Sequence, residues 1–238
     1  MKKQTIRKRN PESYRNRTYR GIAEKSDLCS TFIRIRQTDL HILAESDVSV
    51  TGQELAAQYR LQVEHYTDGN PDFAASLVPV PDDILAPPII RDMLAAAQQT
   101  SVGPMAAVAG AIAEYVCRGL IDRGCNEIIV ENGGDIFLQR SKDCTVAVFA
   151  GQSPLSNRVG LRLGADDMPM GICTSSGTVG HSLSLGEADS VTVLADSAVL
   201  ADAAATRIGN EVGDYHEPSV GINRALEAAE EITGIRGV

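Results

Sequence analysis

The chain has 238 residues, no Trp, 4% aromatic residues and a formal charge of −9 from 22 Lys+Arg against 31 Asp+Glu. A single domain of that length buries roughly 70–75% of its unfolded surface, so a full core is within reach, although two small domains also fit. The acidic balance and the scarcity of rings exclude a base-stacking nucleic-acid surface, and five Cys without a CxxC pair exclude a disulfide scaffold and speak against structural zinc. Free thiols suit a reducing compartment, so the chain is expected in the cytoplasm.

Residues 1–20 hold eight basic side chains and a single acid, Glu12. We set residues 1–17 apart as a basic flexible arm and 18–238 as one folded domain. No apolar run follows the charges, so no signal peptide is expected. The alternation from Tyr19 to Ala44, broken at Ser26-Asp27 and Gln37-Thr38-Asp39, predicts two or three antiparallel strands. From 51 to 67 the period turns helical, with Leu55, Tyr59, Gln62 and Tyr66 on one side. VPVPDDILAPP (78–88) is too rich in Pro for a central strand, and a short helix is predicted over 89–99.

A long helix of small residues is predicted over 104–123, with Pro104 at its start, where a missing N–H does no harm. Its stretch GPMAAVAGAIAEYVCRGLI is apolar enough to need a membrane check. Glu114 and Arg118, one turn apart, predict instead a buried helix with one solvated edge, and no membrane partner is expected. Gly103, Ala106, Ala107, Gly110 and Ala113 are expected where this helix meets other backbone. Strands are predicted at 127–131, 136–139, 145–150, 159–163, 171–174 and 189–195. Ser197 then caps a helix over 198–209, and a last helix spans 219–231. Strands on both sides of a helical middle give an α+β (α/β layered) fold, a mixed, mainly antiparallel sheet packed by helices.

Three segments could carry chemistry. Asn132-Gly133-Gly134-Asp135 lies between two strands. It is a hairpin turn, since Asn-Gly tolerates positive φ, or a polar corner that a ligand approaches closely. CTSSGTVGH (173–181) is poor strand and poor helix. With Thr174, Ser175, Ser176 and Gly177 it is either a plain polar loop or a cradle turning N–H groups toward an anion. It has no Walker Lys. In the helix after Ser197, Asp202 and Thr206 lie about 40° apart on one face. Their hard oxygens suit Mg; the alternatives are a bond from Thr206 back to the carbonyl of residue 202 and an Asp202 that faces water. His41, His65 and His216 read as fillers or solvated groups, and Cys117 and Cys125 as buried thiols.

NGGDI, TSSG…H and SVTVLA…ADAAAT occur in the order of the ApbE-type flavin transferases. The chain resembles that family over about residues 18–210. It is similar still more closely to an ApbE-like family of anaerobic archaea and bacteria, at VGPMAAVAG, NGGDI and ICTSSGTVGHS. The resemblance implies an ApbE-like fold of T-fold type. It also implies Mg held by Asp202, Thr206 and a carbonyl near Val108, cleavage of the FAD pyrophosphate, and transfer of FMN to a protein Thr. Ligand contacts fall on Asn132, Gly133, Gly134, Thr174, Ser175, Ser176 and Gly177, and catalytic roles on Asp135 and His181. The sequence departs from the transferases at Ala109, where they carry Lys. It also lacks the His-Ile-Ile-Asp-Pro insertion and, by our reading, the export signal. An association of the ApbE-like family with sulfur incorporation and homocysteine synthesis implies an alternative, a persulfide on Cys173 and a sulfur-transfer partner. A ligand-binding or assembly module without enzymatic activity, possible as a homodimer, is the third reading.

Overall fold

The computed structural model describes residues 27–179, 184–213 and 217–238. The basic arm, His181 and His216 fall outside them. β1 (Cys29–Ile35) and β2 (Thr38–Ala44) pair antiparallel from Cys29↔Ala44 to Ile35↔Thr38. α1 (Ser49–Gly69), α2 (Pro71–Ala75) and α3 (Pro88–Thr100) follow. A 3-10 turn, Pro104–Ala107, leads into α4 (Val108–Ile121). Next come β3 (Ile128–Asn132), β4 (Asp135–Gln139), β5 (Cys144–Ala147), β6 (Gly160–Leu163), β7 (Met170–Ser175) and β8 (Val191–Ala195). α5 (Ala198–Glu211), α6 (Pro218–Glu230) and β9 (Ile235–Gly237) end the chain.

The main sheet runs β1-β2-β3-β4-β7-β8-β9 and is antiparallel at every described pairing, while β5 and β6 form a separate two-stranded sheet. Period-2 alternation divides the core between the two faces. Phe137 of β4 and Cys173 and Val193 of β7 and β8 belong to the large cluster with the helices. Leu138, Met170 and Ile172 belong to a smaller cluster with Leu163 and Met168 on the β5–β6 side. The layered α+β expectation holds.

Three readings need correction. β7 runs to Ser175, because Cys173, Thr174 and Ser175 pair with Val193, Thr192 and Val191. The loop expected from residue 173 therefore begins only after Ser175. α2 and β9 were not foreseen, both being too short to show a period. Glu114, expected at a solvated edge, is 5% exposed. Pro104–Ile121 is long and apolar enough to cross a membrane by length and composition alone. In the fold its buried face packs on α5, β3 and β4.

Candidate functional site

The residues Asn132–Asp135 form a two-residue hairpin loop closed by the pair Asn132↔Asp135. Gly133 (φ 72) and Gly134 (φ 112) take the left-handed backbone that such a turn requires. Glu131 Oε1 accepts from Gly134 N at 2.8 Å and fixes the tip. Asn132 Nδ2 donates to Ala109 O at 3.0 Å, tying the turn to the start of α4. Both sequence readings of this segment are therefore compatible: it is a hairpin, and Gly133, Gly134 and Asp135 also line a cavity.

α5 is the element on which the site rests. Its first turn holds Ala198 between two glycines. A Cβ on Gly110 would come within 2.3 Å of Ala198 O, and one on Gly171 within 2.4 Å of Ala198 N. Ser197 caps the helix by accepting from Val199 N and Leu200 N. Glu114 Oε2 accepts from Ser197 Oγ (2.8 Å), Ala198 N (2.7 Å) and Val199 N (3.2 Å). A carboxylate thus meets the donor end of the helix, where negative charge is favoured. Its other oxygen accepts from Arg118 Nε at 2.8 Å, and that guanidinium stacks over Phe137. One turn further on, Asp202 Oδ2 accepts from Gly110 N at 2.8 Å. The small-residue face of α4 is what lets α5 approach so closely.

These elements enclose a cavity of about 510 Å³. Its polar lining includes Glu131, Asp135, Thr174, Ser175, Ser176, Thr192, Asp202, Thr206 and Asn210. Leu77, Met105, Val146, Val148, Phe149 and Ile172 are among its apolar walls. Among the described lining residues there are three carboxylates and no Lys or Arg. Asp135 is 7% and Asp202 9% exposed. Burial, then the neighbouring charge of Asp202, raises Asp135 well above the usual carboxylate range, against the donation from Thr174 N at 3.2 Å. Burial pushes Asp202 up to about 7, with the Gly110 and Ala109 N–H groups opposing it.

The cavity thus brings together Gly133, Gly134, Asp135, Thr174, Ser175, Ser176, Asp202 and Thr206. Asn132 and Gly177 stand behind its wall rather than in it. Gly177 packs against Gly186 O, with its N–H donated to Ala188 O at 2.8 Å. Cys173 is fully buried, its Sγ 3.3 Å from Ala198 O, and burial and then the Asp135 and Asp202 charges push its thiol well up. A sulfur carrier needs an accessible thiolate, and the Ile136 N–H does not outweigh the burial and those carboxylates. Val108 and Ala109 both line the cavity, and the Ala109 carbonyl accepts from Asn132. Glu131, Glu114 and Asn210 were missed. Glu114 was hidden because it reads as half of an i, i+4 pair with Arg118, whereas Asn210 continues the Asp202, Thr206 spacing and could have been found.

The family model described as "AbpE bacteria" matches residues 21–232. The chain belongs to this ApbE-like family. A UPF0280 protein of Methanococcus aeolicus is 40% identical over 210 residues, covering 87% of this chain and 84% of the relative. One from Methanococcus maripaludis is 50% identical over 182 residues, covering 75% and 72%. Among solved structures, the ApbE-like chain is similar to the flavinyl transferase ApbE of Pseudomonas stutzeri in its apo form. That match has a TM-score of 0.54 at 13% identity and covers 85% of this chain and 87% of that one. The flavin transferase ApbE of Vibrio cholerae gives 0.55 at 13%, covering 85% and 90%. At such identity the likeness shows that the ApbE-like chain shares their fold.

Proposed function

We propose that this ApbE-like protein binds a flavin nucleotide, or a related diphosphate-bearing ligand, through a divalent cation, and is a divergent transferase of the FAD:protein FMN type acting in the cytoplasm. One observation carries the reading: Asp135, Asp202 and Thr206, from elements far apart in sequence, converge on one cavity beside the hydroxyls of β7. A bare diphosphate would meet three carboxylates and no cationic side chain among the described lining residues. A divalent cation removes that conflict. The donor set is hard oxygen throughout, which suits Mg, and two buried carboxylates with raised pKa lack the opposite charge a cation supplies.

Asp202 and Thr206 would hold the cation, which when bound supplies Lewis acidity at a phosphoryl oxygen. Asp135, held by Thr174 N–H and raised by burial, would serve as a proton carrier to a ligand oxygen. Ser175 and Ser176 offer hydroxyl donors to phosphate oxygens. Val146, Val148 and Phe149 offer an apolar wall to a ring system. His181 is proposed as a second proton carrier.

Calorimetric titration with FAD or ADP, with and without Mg, tests the reading. Binding is expected only with the metal, and Asp202→Ala should abolish that dependence. Equal binding in both conditions, unchanged in Asp202→Ala, would reject it.

A further inference from the structure

Asp202, Thr206 and Asn210 follow one another at i, i+4 and i+8 on α5, and all three line the cavity. The reading above uses the first two and leaves Asn210 without a role. Asn210 Oδ1 accepts from Leu185 N at 2.9 Å. With its oxygen engaged, the planar carboxamide has its Nδ2, a double donor, fixed on the other side of the same group. Asn210 is only partly buried and lines the cavity, so its side chain is not sealed into the core.

Holding the chain in place does not depend on Asn210 alone. Glu187 N donates to Val212 O, Gly177 N donates to Ala188 O, and Gly186 packs directly on Gly209 O. The segment 184–189 is thus tied to the end of α5 at several points. Position along the helix decides what Nδ2 can meet. Eight residues at about 1.5 Å each place Asn210 about 12 Å from Asp202 along α5. A diphosphate coordinated at Asp202 does not span that length, but the heterocycle attached to it does.

We propose that Asn210 is a specificity-determining residue: its Nδ2 donates to a ring carbonyl or ring nitrogen of a nucleotide whose diphosphate lies at the Asp202 end. The proposal rests on the metal–nucleotide reading and names the part of the ligand that this end of the cavity recognises. Buried donors and acceptors discriminate strongly, because a ligand lacking the complementary atom leaves them unpaired.

The test uses Asn210→Asp, which keeps an oxygen for Leu185 N–H and removes the amide donors, and Asn210→Ala, which removes both. Binding of FAD, FMN, ADP and inorganic pyrophosphate is measured with Mg at about 0.15 M salt, pyrophosphate serving as the control for the charge that Asn210→Asp adds. Asn210→Asp should bind FAD about tenfold more weakly and pyrophosphate as the wild type does. Whichever of FMN and ADP shares the loss identifies the ring as isoalloxazine or adenine. Exchange of the Leu185 amide should stay slow in Asn210→Asp and quicken in Asn210→Ala. Wild-type affinity for FAD in Asn210→Asp, or an equal loss for pyrophosphate, overturns the proposal. A wild-type protein that binds none of the four probes with Mg overturns the underlying reading instead, a result distinct from either.

Discussion

Asp202 shows how a single carboxyl can set both binding and stability. Its side chain is buried, bonded to the Gly110 N–H and pushed up to about 7, well above the 3.8 of an exposed Asp. Asp135 moves in the same direction. The sign of the linkage follows from which state holds the proton. Between about pH 4 and pH 7 the folded protein keeps a proton that the unfolded chain has released, so stability falls as pH rises through that window. Without divalent metal, thermal melts should show Tm declining as pH rises from about 4 through about 7. Asp202→Asn, which keeps the amide acceptor for Gly110 N–H, should flatten that decline. A wild-type Tm that rises across the window would contradict the burial of this charge.

At the scale of elements, the contact of α4 with α5 governs where Asp202 stands. Gly110 is the point of closest approach, and its missing side chain is replaced by the backbone of Ala198. Gly110→Ala would force a Cβ to within 2.3 Å of that carbonyl, a contact that backbone cannot relieve cheaply. We expect a loss of about 1–3 kcal/mol in urea denaturation, accompanied by weaker metal-dependent nucleotide binding. Unchanged stability would show that the two helices can separate without cost.

Much of this element-level picture was legible in the residues. The run of Gly and Ala over 103–113 announced a helix that other backbone approaches, and Ser197 announced the start of α5. The turn at Asn132–Asp135 and the Asp202, Thr206 pair were visible as local patterns. What stayed hidden was long-range: Glu114 looks like one half of an i, i+4 surface pair, and only the tertiary fold turns it into the anchor of α5. Likewise Cys173 sits next to a polar loop in sequence, yet strand pairing with Val193 carries it under the helices. Neighbourhood along the chain does not reveal which face of a strand is covered.

At the scale of the molecule, the two faces of the sheet divide the cavity between them. The helix face supplies Asp135 and α5, while the opposite face supplies Ile136, Ile172 and Thr174. The wall beyond belongs to Val146 and to residues 148 and 149, at the end of the small sheet. A ligand seated there bridges both layers and should stabilise the whole fold. Mass action sets the size of that effect, about 2.7 kcal/mol at a concentration 100 times the dissociation constant. With Mg, FAD should therefore raise Tm with the logarithm of its concentration above the dissociation constant, and FAD alone should not.

The hydrogen bond from Gly110 N to Asp202 Oδ2 spans 92 positions of the chain. Between its two ends lie β3, β4, β5, β6, β7 and β8, so closing the bond costs the entropy of the loop that carries them. Distant pairings of this kind come late, because their loop-closure entropy is repaid only by the contacts that follow. Every contiguous fragment that holds both ends of this bond also contains those six strands. Recovery of metal-dependent binding during refolding should then trail the recovery of helical signal, making the cation a reporter of the last step of folding rather than of the first.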